Sequence, residues 1–91
     1  MTALRHTPLR HRMLAEVNAG TVAQLNNYWQ WDDPSGSMQV GEVLALQALA
    51  EAGLIFVEGI PGDGLSWREV YARAAGRARL YEWDVTYGEM L

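Results

Sequence analysis

Two stretches of this chain carry both a helical period and the residues that bound a helix, and they restrict the fold more than any other feature. In TPLRHRMLAEVNAG, residues 7–20, Leu9, Met13 and Val17 recur every four positions and, with Leu14, make one apolar face. Thr7 can accept from the first free amides. Pro8 suits the first turn, where its missing N–H costs nothing, and Gly20 suits a left-handed stop. The spacing predicts a helix from about 8 to 19. In SMQVGEVLALQALAEAGL, residues 37–54, Ser37 stands as the cap, Val43, Leu46, Leu49 and Ala50 form the buried stripe, and Gly53 ends it. That predicts a second helix over 38–52. Both apolar faces must close on one surface, because 91 residues build only one core.

The remaining segments read as strands. In an extended TVAQLNNYWQWDD, residues 21–33, Ala23, Leu25, Asn27, Trp29 and Trp31 point one way, and Gln24, Asn26, Tyr28 and Gln30 the other. One or two short strands are expected, ending in the turn composition Asp33-Pro34-Ser35-Gly36. Trp29 and Trp31 are then expected in the core on the Leu25 face, with Tyr28 outside near Asp32 and Asp33. IFVEGI, residues 55–60, reads as a strand, Pro61-Gly62-Asp63-Gly64 as a turn, and LSWREVYA, residues 65–72, as the returning strand. Ser66-Trp67-Arg68-Glu69 also matches a capping box, which would start a helix with Val70, Tyr71, Ala74, Ala78 and Tyr81 on one side. Local pattern leaves both open. Beyond it, Tyr81, Trp83, Val85 and Tyr87 alternate with Glu82, Asp84 and Thr86, which predicts an extended tail over 82–91. Leu14, Val17, Leu46, Leu49, Leu54, Phe56 and Val70 are the expected core.

Charge narrows the functions. All seven basic residues are arginine, and none lies between Met13 and Trp67, where Glu16, Asp32, Asp33, Glu42, Glu51, Glu58 and Asp63 fall. A surface that meets phosphate needs cations, and this block has none. The basic residues near the N-terminus, Arg5, His6, Arg10, His11 and Arg12, form one cluster, read as a flexible arm over 1–6 running into the first helix. His6 and His11, five apart, are expected on different helix faces, and with no cysteine they complete no metal site. Ser35, Ser37 and Ser66 have no histidine in sequence context, and Gly59, Gly62 and Gly64 open no helix with a lysine, so neither a nucleophile nor a phosphate loop is expected. No enzyme, cofactor or small-molecule substrate is implied. The longest apolar stretch, Val43 to Val57, is broken by Gln47, Glu51 and Gly53, and no signal-peptide run follows the N-terminal arginines, so a cytoplasmic protein that does not span a membrane is expected.

Three segments, TPLRHRMLAEVNAGTV, ALAEAGLI and VYARAAGRARL, resemble the opening helix, the recognition-helix end and the closing segment of small winged-helix proteins of actinobacteria and their phages. Ala75, Gly76, Arg77 and Leu80 fit the closing motif, with Arg73 where that family places a threonine. The resemblance implies one α+β, winged-helix-like domain over 1–91. It would have two main helices, a short C-terminal helix, and a small antiparallel sheet whose wing turns at Pro61–Gly64. It also implies that 39–52 is the recognition-type helix; this one offers Gln39, Glu42, Gln47 and Glu51, and the wing Glu58 and Asp63 with Arg68. The resulting expectation is a regulatory module acting through protein contacts on an acidic and aromatic surface that includes Tyr28, Asp32 and Asp33. Self-association through Trp83 and Tyr87 of the tail is expected with it. The alternative is a dimeric regulator binding duplex DNA weakly and salt-dependently through Arg5, Arg10, Arg12 and Arg68.

Overall fold

The computed structural model describes residues 4–33, 36–59 and 67–88. Among them the chain runs α1 (Pro8–Asn18), β1 (Val22–Leu25), β2 (Tyr28–Trp31), α2 (Val40–Glu51), β3 (Ile55–Val57), β4 (Trp67–Ala72) and α3 (Ala74–Tyr87). The strands make one antiparallel sheet in the order β2-β1-β4-β3. The class is α+β. The expected turn at Pro61–Gly64, with Asp63, lies outside the described residues, as do Pro34 and Ser35. β3 and β4 pair, Val57 with Val70 and Ile55 with Ala72, so the Trp67 segment is a strand and not a helix.

Both expected helices form. Thr7 Oγ1 accepts from the Arg10 amide at 3.1 Å, and Gly20 takes φ +81° past the end of α1. The cap of α2 is not Ser37. The helix starts at Val40, and Glu42 reaches back so that its Oε1 accepts the Gln39 amide at 2.8 Å.

The hairpin between β1 and β2 overturns one expected facing. Asn26 and Asn27 both have positive φ, 55° and 68°, a conformation asparagine tolerates better than most residues and the one a two-residue turn of primed type requires. The turn breaks the alternation. Val22 now pairs with Trp31 and Gln24 with Trp29, so both tryptophans share a face with Val22, opposite Ala23 and Leu25. They are half-buried against the core, as are Val57 and Tyr87.

The core lies between that face and the helices. Met13, Leu14 and Val17 of α1 meet Leu46 and Leu49 of α2, Ile55 of β3, Val70 of β4, and Leu80 and Trp83 of α3. Of the expected core, Leu14, Val17, Leu46, Leu49, Leu54 and Val70 are buried; Phe56 is exposed. Its register opposite Tyr71 puts it on the outer face, while Ile55 and Val57 turn inward.

The C-terminal segment is the larger correction. Residues 82–87 are not extended but continue α3 to Tyr87. Gly76, Leu80 and Trp83 recur at helical spacing and are buried, so the apolar residues of this stretch belong to two faces of a helix rather than one side of a strand. Gly76 lets the helix touch the start of β3: a Cβ there would lie 2.0 Å from the Leu54 carbonyl oxygen. No helix among the described residues is long and apolar enough to cross a membrane.

Candidate functional site

The helices cover one face of the sheet, and the other carries a row of large side chains. Leu25 is the register partner of both Tyr28 on β2 and Trp67 on β4, which places the three side by side across three strands. Tyr28 is 73% exposed and Trp67 43%. The next row on this face is Gln30, Ala23 and Glu69. Further along β4, Tyr71 lies with its ring centroid 5.5 Å from that of Phe56, and the Arg73 guanidinium sits 5.0 Å over the Phe56 ring. The Tyr71 hydroxyl donates to Glu58 Oε2 at 3.2 Å; partial desolvation of the phenol and the carboxylates of Glu58 and Glu69 push its pKa up.

The far end of β2 opens on a surface cavity of about 580 Å³ lined by Arg12, Glu16, Thr21, Trp31, Asp32, Asp33, Gly36 and Glu42. Four carboxylates face one guanidinium there. Arg12 is committed: its Nη2 donates to Glu42 Oε2 at 2.7 Å, which satisfies the second oxygen of a nearly buried carboxylate already used to cap α2. The Thr21 hydroxyl lies 2.6 Å from Glu16 Oε2 and 2.9 Å from the Glu16 carbonyl, and its single proton is shared between them. The Asp32 amide donates to the Thr21 carbonyl at 2.8 Å, extending the β1–β2 ladder to the cavity rim. The site is an anionic hollow with an indole wall.

A third cluster was not legible from spacing. His6 precedes the cap of α1 and so is not on the helix; it folds back onto His11, with His6 Nε2 3.0 Å from His11 Nδ1. His11 is fully buried, and its Nε2 lies 2.7 Å from Asp84 Oδ1 on α3. When that nitrogen donates to the carboxylate, Nδ1 accepts from His6. His6 stacks on Tyr87 at 3.7 Å between centroids and meets Trp83 edge-on at 5.0 Å. Burial and the neighbouring His11 lower the His6 pKa. Because His6 and Asp84 between them satisfy both ring nitrogens of the buried His11, the cluster ties the segment before α1 to α3. Among the described residues, no three His, Asp or Glu side chains are grouped as metal ligands.

The expected contact residues therefore separate. Tyr28 heads the outer face, while Asp32 and Asp33 rim the cavity at the other end of the same strand. Trp83 is 5% exposed inside its own fold, and Tyr87 is half-buried on His6, so neither offers the surface that an extended tail would have given. Of the arginines assigned to DNA, Arg5 is exposed, Arg10 donates to the Arg5 carbonyl at 2.9 Å, Arg12 is paired with Glu42, and Arg68 is 7% exposed, its stem beside Gly59. Leu4 and His6 are packed rather than free: the Leu4 carbonyl accepts from Arg79, and His6 is held as described. The outward residues are Gln39, just before α2, and Val40, Leu44, Gln47 and Glu51 on it, while Glu42 turns inward. Comparison with protein-family models, with curated proteins and with solved structures finds no match for this chain.

Proposed function

We propose that this chain is a non-catalytic, winged-helix-like regulatory module of the cytoplasm, and that it docks a protein partner on the outer face of its sheet. The observation that carries this reading is the row Tyr28–Leu25–Trp67, set across three strands with its aromatic ends in solvent. Exposed tyrosine and tryptophan are enriched among interface hot spots, and a rigid sheet presents them at little entropic cost. Glu69 on the same face and the cavity carboxylates at the end of β2 set the chemistry of the partner: an apolar segment carrying arginine or lysine. Helix α2 followed by the β3–β4 pair supports the winged-helix-like reading. The outward side of α2 has no cation, which favours protein over phosphate as the partner.

The test is titration of the tryptophan fluorescence with an extended peptide alternating arginine and valine. Saturable binding with a Kd on the order of 10–100 μM is expected, since a single strand-sized contact is small. Tyr28→Ala and Trp67→Ala should each weaken it about tenfold, and Asp32→Asn with Asp33→Asn should reduce its salt dependence. Affinity in Tyr28→Ala and Trp67→Ala unchanged from the parent chain, or no binding by the parent chain, refutes the reading. Retention of duplex DNA at about 150 mM salt, lost on replacing Arg5 and Arg10, would move the function to the DNA-binding alternative.

A further inference from the structure

The outer side of α3 presents Ala74, Ala78, Tyr81 and Val85, spaced four, three and four, the a/d period of a helix that pairs with another helix. All four are exposed, Tyr81 by 72% and Val85 by 71%, while Gly76, Leu80 and Trp83 on the opposite side are buried. The helix is thus apolar on both sides, and only the inner one is covered. We infer that this outer stripe is a self-association surface on which α3 of one chain packs antiparallel against α3 of a second copy.

Side-chain size sets the orientation. About a two-fold axis between positions 79 and 80, Ala78 of each copy faces Tyr81 of the other and Ala74 faces Val85, so every layer sets a small side chain against a large one. A parallel pair would instead oppose alanine to alanine and Tyr81 to Tyr81, leaving gaps at one end and crowding at the other. Charge is compatible with the antiparallel form. Arg77 flanks the stripe on the same side as Asp84, and two-fold pairing brings Arg77 of one copy beside Asp84 of the other, twice. Both groups keep capacity for this. Asp84 binds His11 through Oδ1 and its side chain is 58% exposed; Arg77 gives one Nη1 bond to the Ala72 carbonyl at 2.8 Å. Charge alone does not choose, since a parallel pair would place Arg77 near Glu82; packing does. The surface is distinct from the sheet face proposed for the partner, so the failure of either reading leaves the other intact.

One 14-residue helix is about 21 Å long, and an interface of that length is smaller than the standard size, so the dimer should dissociate on the order of tens of micromolar. Sedimentation equilibrium of the full chain is expected to show twice the 10.2 kDa chain mass near 1 mM and the single mass near 1 μM. Tyr81→Glu with Val85→Glu should stay at the single mass throughout, with an unchanged circular dichroism spectrum. Orientation is read in a chain that has no cysteine of its own. Ala74→Cys and Val85→Cys chains, mixed and oxidised, should cross-link with each other and not with themselves. A single mass at 1 mM, a Tyr81→Glu/Val85→Glu chain that still dimerises, or efficient self-cross-linking of Ala74→Cys overturns the inference.

Discussion

Replacing Gly76 with alanine opposes two effects of known sign, so the outcome decides whether α3 is docked as described. In an isolated helix the change stabilises by about 1 kcal/mol, because alanine loses less backbone entropy. In this fold the new Cβ would stand 2.0 Å from the Leu54 carbonyl oxygen and 3.0 Å from its carbon, both main-chain atoms that no rotamer change can move. Ordinary contact begins near 3.4 Å, so the helix and the start of β3 must part by about 1.4 Å. That separation stretches the bond from the Arg73 amide to the same Leu54 oxygen, now 2.9 Å, a loss of about 1 kcal/mol. It also lifts Leu80 and Trp83 off the core, and overpacking of this kind costs about 1–3 kcal/mol. The net expectation is a destabilisation of about 1–3 kcal/mol, or a melting temperature lower by about 5–20 °C for a domain of this size. Thermal and urea unfolding followed by circular dichroism measure it. Gly88→Ala is the control, since a Cβ there meets nothing within 4 Å and its φ is −54°. A Gly76→Ala chain as stable as the parent, or more so, refutes the docking.

The His6 pKa is lowered, so the unfolded chain takes up that proton more readily than the folded one. The contribution is fully present above the unperturbed pKa of 6.5 and declines as pH falls below it; urea midpoints at pH 7.5 and about pH 5 should show the decline, and His6→Ala should remove that component. Arg12→Ala leaves the nearly buried Glu42 carboxylate without its cation and is expected to cost about 1–2 kcal/mol, the exposed half of the pair being screened. Adding Glu42→Gln should recover part of that loss in a double-mutant cycle, whereas strictly additive losses would mean the two side chains do not interact.

Punctuated elements were legible in the sequence. Thr7, Pro8 and Gly20 bound α1 because each acts on backbone groups within a turn of itself, and such effects do not depend on the rest of the fold. Facing was legible only where no turn intervened. The two asparagines between β1 and β2 look like strand residues until their positive φ is known, and two residues of turn exchange the neighbours of Trp29 and Trp31. A small Asn-Asn signal was available there, since asparagine enters that region more easily than most residues do. Over 81–87, alternation could not separate a strand from a helix apolar on two sides, because Tyr81 and Val85 satisfy one period while Leu80, Trp83 and Tyr87 satisfy the other. The candidate sites are long-range by nature. The His11–Asp84 contact joins residues 73 apart, and Leu25 meets Trp67 only through the sheet; no local period announces either.

The arginines show why composition misleads about partners. A cluster of cations at one end of a sequence reads as an arm for phosphate, but a cation contributes to such binding only if the fold leaves it free to shed counterions there. Here the fold has used most of them. Arg12 holds Glu42, Arg73 lies over Phe56, and Arg79 is 3.2 Å from Glu82 and bonded to the Leu4 carbonyl. Arg68 is buried among the inward residues of β4. The carboxylates are distributed the other way. Glu16, Asp32 and Asp33 line one hollow whose single guanidinium, Arg12, is already paired with Glu42. Cations spent on internal carbonyls and rings, and anions gathered at a surface, leave a molecule whose outward field near β2 attracts positive groups. On the proposed reading that asymmetry would suit a basic protein segment better than a nucleic acid, and it arises from which charges the packing consumes rather than from the net charge of −4.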